Sequence, residues 1–397
     1  MFEIFLVFLR LGLTSFGGPV AHIGYFHNEF VRQRKWVSDD TFTGWLALCQ
    51  FLPGPASSQL GFLIGLHRGG VLGALLAWVA FTMPSAILLV ALALYGFGND
   101  TPWAMAVVHG LKLVAVAVVA QAVWSMWSTL CKSTVTRVIA LVGFALTIWF
   151  MGWSGQIWAI LAGAVIGIVL LRSEVNPTAV ERAGQSRISP AVGIVLLVIA
   201  LALLLLMPLL ASQSAVSEMF STFYRAGALV FGGGHVVLPM LQSAVVDTGL
   251  VSRDAFLVGY GLAQAVPGPL FIFSAWVGAL DPSLPGWPGA MLALVSVFLP
   301  GLLFVCGVLP WWQKLRNIPL ALGAFAGINA AVVGVLAAAW INPIVITAYQ
   351  TWIDALVAVL AAVWLIWGRA PAWRVVLLCV ALALVGYWTG LWPVVSV

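Results

Sequence analysis

Two arginines, Arg10 and Arg225, stand inside long apolar stretches, each six residues ahead of a Phe-Gly-Gly. A guanidinium keeps its proton, so in hydrocarbon it either faces a polar cavity or snorkels to the headgroups. Two such planar donors, repeated at the same spacing, would suit an oxyanion. Breaks follow each arginine: Phe16-Gly17-Gly18-Pro19 and Pro53-Gly54-Pro55 after the first, Phe231-Gly232-Gly233-Gly234 and Pro267-Gly268-Pro269 after the second. A break that ends one helix and starts another leaves free N–H groups and a positive dipole end inside the membrane, a natural anion site; the competing reading is a mere kink. Ser57 adds a hydroxyl in the first copy, whereas Leu270-Phe271 follows in the second, so the half-sites are not equivalent. Gln50 and Gln264, three residues before each Pro-Gly-Pro, either bind oxygen atoms or bridge helices. Lys112 is a third substrate contact or a partner for a carbonyl. His22, His27 and His235 flank the breaks and His109 lies near a span end; polar packing is the favoured reading, with contact between His235 and substrate left open.

These residues form two series offset by 214 to 216 positions. Asp40 and Asp254 stand ten residues before their Gln, and Pro84 and Pro300 eleven after a Gly. Each Asp follows a serine, Ser38 or Ser252, where helix capping is expected. The chain is 63% hydrophobic and 7% charged over 397 residues, against about 25% charged in soluble domains. Lipid is therefore its main solvent, and a duplicated unit in such a chain is the mark of a secondary transporter with one central site.

Apolar stretches long enough to span run 71–97, 103–130, 135–150, 153–171, 191–211, 289–310, 318–340, 343–367 and 373–393. Helix is the only fitting state. Segments 2–31, 41–66, 217–246 and 254–279 are broken near their middles and either turn back or cross as interrupted spans. With the polar linker 172–190 in the cytoplasm and 41–66 as a hairpin, 13 of the 17 Lys and Arg fall on that side and only Arg253 on the other. Because the single span 191–211 separates the halves, they are inverted. The expected fold is thus an all-α polytopic membrane protein of two inverted repeats, with about 10–13 membrane segments including re-entrant half-helices. The expected domains are an N-terminal repeat (1–171), a linker with one inverting span (172–215) and a C-terminal repeat (216–397).

Other classes fare worse. The net charge of +5 is spread thinly between apolar runs, which argues for topology charges rather than nucleic-acid binding. The four Cys are scattered, no His, Cys or acid spacing suggests a metal, and no cofactor is expected. No phosphate loop is present to use ATP, and no hydrolase motif suggests a catalytic residue. Asp354, the one acid placed inside a regular span, is the candidate for proton coupling. The first residues lack a basic n-region and a cleavage site, so no signal peptide is expected. The twenty Trp fit interfacial belts.

The paired motifs F-G-G-P…P-G-P and F-G-G-G-H…P-G-P-L-F, in a duplicated membrane chain of this length, resemble the chromate ion transporter family. The likeness implies a multi-pass protein of the bacterial inner membrane that exports chromate and confers resistance. It also implies that Phe16, Gly17, Gly18, Pro19, Pro53, Gly54, Pro55, Phe231, Gly232, Gly233, Gly234, Pro267, Gly268 and Pro269 line the pathway. The expected partners are chromate or a similar tetrahedral oxyanion and membrane lipid, and a homodimer is compatible with such a chain. Uptake of sulfate or another oxyanion, with protons or without, is the alternative function; a membrane enzyme ranks lower.

Overall fold

The computed structural model describes residues 1–96, 102–150, 152–171, 188–231 and 236–390. Among them every regular element is a helix and there is no strand. Seven helices are long and apolar enough to cross a membrane, and two more apolar helices, Thr134–Phe150 and Trp352–Ile366, have 17 and 15 residues. The chain is an all-α polytopic protein, as its composition requires.

In the first repeat, α1 (Phe2–Thr14) is followed by α2 (Gly18–Phe26, running on as a wider helical turn His27–Gln33), α3 (Asp39–Phe51) and α4 (Ala56–Ala91). Gly69 and Gly70 leave helical geometry and divide α4 into a short arm, 56–68, and a long arm from 71. The contacts show that the broken segments turn back. In the α2 segment, Phe26 meets Phe8 of α1 edge-on at 5.8 Å between ring centres and Phe30 stacks on it at 4.9 Å. Arg34, beyond α2, returns to Glu3 at 3.0 Å and also binds Glu29 at 2.6 Å. Trp45 of α3 lies 5.4 Å from the His67 ring at the far end of the short arm of α4, and Arg68 comes back to Glu3 at 3.6 Å. Residues 3, 34 and 68 therefore share one end of the molecule, and both broken segments are re-entrant hairpins. Four spans follow: the long arm of α4, α5 (Pro102–Leu130), α6 (Thr134–Phe150) and α7 (Gly152–Leu170).

A single span, α8 (Pro190–Leu210), leads to the second repeat. Its hairpins are α9 (Ala215–Ala228) with α10 (Val237–Val245), and α11 (Arg253–Ala265) with α12 (Phe273–Leu280). Trp276 of α12 donates to the Ala255 carbonyl at the start of α11 at 2.9 Å, which shows the second hairpin turning back. Then come α13 (Trp287–Val308), the short α14 (Trp312–Leu315), α15 (Pro319–Ala339), the short α16 (Ile346–Ala348), α17 (Trp352–Ile366) and α18 (Ala372–Thr389). The described residues thus hold seven helices long enough to span, two shorter apolar helices set between them, and four pairs of half-helices. With one span between them, the repeats are inverted.

Each repeat is completed by the other. Helix α15 lies against α6 and α7 of the first repeat, and α5 lies against α17 and α18 of the second. Small residues set these approaches. A Cβ on Gly110 of α5 would stand 2.8 Å from the Val380 Cα of α18. A Cβ on the equivalent Gly327 of α15 would overlap the Gly163 carbonyl of α7. Within the repeats the match continues: a Cβ on Gly12 would stand 2.7 Å from the Phe81 carbonyl oxygen, and one on Gly227 would overlap that of Val297.

One expected span changes character. The stretch 343–367 is not one helix: Asn342 leaves helical geometry and α17 begins only at Trp352. Asp354 is therefore not mid-span. It is the third residue of α17, where with Thr351 it closes a capping box, because a threonine followed three residues later by an acid satisfies the first free N–H groups.

Candidate anion site at the crossing of the repeats

The Pro-Gly-Pro turn of each repeat meets the first helix of the other in a backbone crossing. The Gly54 N–H donates to the Val230 carbonyl at 2.8 Å, and the Gly268 N–H to the Ser15 carbonyl at 3.1 Å. Each Pro-Gly-Pro turn therefore docks on the end of the first helix of the opposite repeat. Gly54 has φ 119° and Gly268 φ 103°, a left-handed conformation that side chains rarely adopt. Space excludes a side chain as well: a Cβ on Gly54 would stand 2.9 Å from the Gly301 Cα, and one on Gly268 2.8 Å from the Ser85 Oγ.

Four half-helices begin beside these crossings. Their first residues follow Gly17, Pro55, Val236 and Pro269, and no side chain caps any of them. First-turn N–H groups without a side-chain cap and positive dipole ends are thereby contributed by both repeats, the kind of arrangement that attracts an anion in a medium without water.

The structure distributes the sequence-derived residues unevenly. Pro53, Gly54, Pro55, Gly268 and Pro269 are buried in the crossings, and Pro267 is half-buried. Gly17 is the N-cap of α2, with Gly18 and Pro19 its first residues. Phe16 tilts against Trp373 of the other repeat at 6.4 Å, whereas Phe231 tilts against Phe325 of its own repeat at 6.3 Å. Ser57 is buried at the start of α4, where its Oγ lies 3.5 Å from the His22 Nδ1. Gly232, Gly233, Gly234 and His235 lie outside the described residues.

Arg10 is exposed one turn before its break, whereas Arg225 is half-buried with its guanidinium 4.8 Å over the Trp153 ring. Among the described residues neither forms a salt bridge with a carboxylate. Gln50 is exposed and Gln264 buried, the latter hydrogen-bonded to the Tyr260 hydroxyl.

Lys112 belongs to a different constellation. The preceding residue, Leu111, packs its carbonyl against Gly261 of α11, and the Lys112 ammonium reaches Asp254 at the start of α11, at 2.6 Å. The charge is thus met by a carboxylate, a partner that sequence reasoning did not supply. The helix caps at these starts are Ser38 and Ser252 themselves, which accept from Thr41 and Ala255. The following acids turn outward: Asp254 to Lys112, and Asp39 to His27 at 2.5 Å.

Sequence reasoning also passed over Gln59 and Ser85. Gln59 Nε2 donates to the Pro53 and Gly301 carbonyls, both at 2.9 Å, and the Ser85 hydroxyl donates to the Pro267 carbonyl. The available signal was a polar residue in an apolar helix four residues after one Pro-Gly-Pro, and another directly after Pro84.

The chromate transporter family model matches residues 2–168 and again 217–387, once per repeat. The chain belongs to the chromate transporter family. Its relatives include the chromate transport protein of Cupriavidus metallidurans, 30% identical over 91% of this chain and 86% of that protein. The probable chromate transport protein of Synechococcus elongatus is 32% identical over 84% of this chain and 81% of its own. The chromate transport protein of Pseudomonas aeruginosa is 30% identical, covering 87% and 82%. No solved structure matches the chain. The family match divides the chain as the crossings do, into two repeats.

Proposed function

We propose that this protein is a secondary transporter that carries chromate, or a dianion of the same shape, out of the cytoplasm, and so confers chromate resistance. The observation that carries the reading is the gathering of uncapped half-helices from both repeats, beside two arginines, Arg225 half-buried and Arg10 exposed, that have no carboxylate partner among the described residues. Such a site offers fixed donors and positive charge at no cost in protein reorganisation. Arg10 and Arg225 would balance the charge, the half-helix N–H groups would hold the oxygens, and Gln50 and Gln264 would complete the shell.

Direction follows from charge. The re-entrant hairpins keep Arg32, Arg34, Lys35 and Arg68 at one end with Lys132, Arg137, Lys314, Arg316, Arg369 and Arg374, whereas Arg253 lies at the other. The excess of basic residues supports reading the first end as cytoplasmic, in a bacterial inner membrane. A dianion leaving a negative interior gains roughly 4.6 kcal/mol across 100 mV. At about 1.4 kcal/mol per decade, that sustains an outward gradient of roughly a thousandfold without a coupling ion. Uptake would work against the same field. The relatives are named for transport, which supports carriage of the substrate without chemistry on it.

Everted membrane vesicles test it. Labelled chromate is expected to accumulate when the vesicle interior is made positive, and Arg225→Gln is expected to abolish accumulation at normal membrane levels. Accumulation that ignores the potential but follows a pH step would overturn export by voltage. Competition by sulfate in the same vesicles reads selectivity.

A further inference from the structure

The two crossings share a backbone but not a lining. Through the repeat, Ser15 corresponds to Val230, His22 to Val237, Ser57 to Phe271, Ser58 to Ile272 and Thr82 to Phe298, and all ten are buried. At every one of these positions the first repeat carries a polar side chain and the second an apolar one. Packing does not demand the polar set, because the second repeat builds the same crossing from hydrocarbon.

The polar set is also incompletely satisfied within the protein. Ser15 Oγ, Ser58 Oγ, Thr82 Oγ1 and Gln264 Nε2 are buried without a hydrogen-bond partner among the described residues. A buried donor left unpaired is costly, so several around one junction point to something that pairs them.

Their attachment to that junction is direct. The Ser15 carbonyl accepts the Gly268 N–H, and it also accepts from His22 Nε2 at 3.0 Å. That bond fixes the tautomer and leaves His22 Nδ1 facing Ser57 Oγ. Ser57 and Ser58 are the second and third residues of α4, whose N-terminus has no side-chain cap. The His22 ring stands edge-on to Phe81, the residue before Thr82, at 5.3 Å between ring centres. Gln264 lies one turn ahead of Gly268.

We propose that the oxyanion is bound once, off the pseudo-two-fold axis and within the first repeat. The N-terminus of α4 faces it, and Ser15, Ser58 and Thr82 with the Gln264 amide donate to its oxygens. His22 is a positioning residue that braces Ser15 and Ser57. The equivalent surface of Val230, Phe271, Ile272 and Phe298 is a dry wall that holds no second anion. This deepens the proposed function and rests on it. Neutral donors suit a tetrahedral dianion, which needs no proton exchanged on binding.

The test is chromate binding to the purified full-length protein by calorimetry, beside transport in proteoliposomes. One anion per chain is expected. Ser58→Ala and Thr82→Val are expected to weaken binding roughly tenfold or more, since each removes a hydrogen bond to a charged group. Thr82→Ser, which keeps the hydroxyl, is expected to bind as the wild type does, and so separates lost donation from lost packing. Ile272→Val and Phe298→Leu are expected to keep affinity within about threefold. Two equal sites per chain, or unchanged binding in Ser58→Ala and Thr82→Val, would overturn the off-axis site while leaving export standing. A wild type that neither binds nor moves chromate or sulfate would remove the proposed function, and this site with it.

Discussion

The central helices α5 and α15 occupy equivalent places in the two repeats and make equivalent glycine contacts, yet only α5 carries charge across the interface. His109 and Lys112 of α5 meet Asp354 and Asp254 of the second repeat, both at 2.6 Å. The equivalent positions on α15 are Ala326 and Asn329, and those of the two acids are Thr136 and Asp40. Thr136 and Asp354 show how the divergence works. Each is the third residue of its helix and each closes a capping box, Thr136 with Ser133 and Asp354 with Thr351. Threonine spends its only oxygen there. Aspartate uses Oδ2 for the cap and has Oδ1 left for His109. One end of the interface between the repeats is therefore held by charge, and the end rich in basic residues has no such pair at the equivalent positions. Duplication fixes where helices lie, and single substitutions decide which end of the interface is tied.

The shared part of the comparison can be broken at its glycines. Gly327→Leu would drive a side chain into the Gly163 carbonyl, and Gly110→Leu would meet the Val380 main chain. Overpacking of this kind costs about 3 kcal/mol or more. Both variants are expected to lose folded protein from the membrane fraction, measured by gel filtration in detergent. Survival of either with normal yield would show that the two central helices are not held alike.

The unshared part gives way to a smaller change. Asp354→Thr copies the first repeat: it keeps the helix cap and removes the His109 bond. A hydrogen bond to a buried charged group is worth about 2 kcal/mol, and the thermal unfolding temperature in detergent should fall accordingly. Replacement with no loss would mean that the cap, not the link between repeats, is what Asp354 provides.

How much of this could be read in advance follows from sequence separation. The breaks at Gly17, Gly54 and Gly268 were legible because glycine and proline act on their own backbone, and the repeat was legible because the breaks recur in register. The short arms around Pro53-Gly54-Pro55 were visibly half the length of a span; the turn back itself was read only from Arg34 and Arg68 returning to Glu3. The ion pairs were hidden. His109 and Asp354 are 245 residues apart, and the repeat offers no guide because their equivalents are Ala326 and Thr136. Lys112 was legible as a buried cation but not as a paired one, since its side chain runs along α11 to an acid that local sequence marks only as a helix start.

The finest comparison concerns the first proline carbonyl of each Pro-Gly-Pro, which both repeats satisfy with different donors. Pro53 receives the Gln59 amide, whereas Pro267 receives the Ser85 hydroxyl from the opposite repeat. Gln59 corresponds to Phe273, and Ser85 to Gly301. The two solutions are thus complementary: where the facing helix offers glycine, a long amide from the same hairpin fills the space and bonds the Gly301 carbonyl too. Gln59→Phe alone would strip a donor from two buried carbonyls, at about 2 kcal/mol. Adding Gly301→Ser would rebuild in the first repeat the arrangement that the second already uses. The serine Cβ would stand 3.2 Å from the Pro55 Cδ, a tight fit, but the hydroxyl would face the Pro53 carbonyl as Ser85 faces Pro267. The double variant is therefore expected to recover most of the thermal stability lost by Gln59→Phe. Recovery would show that the two crossings are interchangeable in their backbone needs. A double variant weaker than the single one would show that the crossings differ in backbone geometry, and not only in the side chains around them.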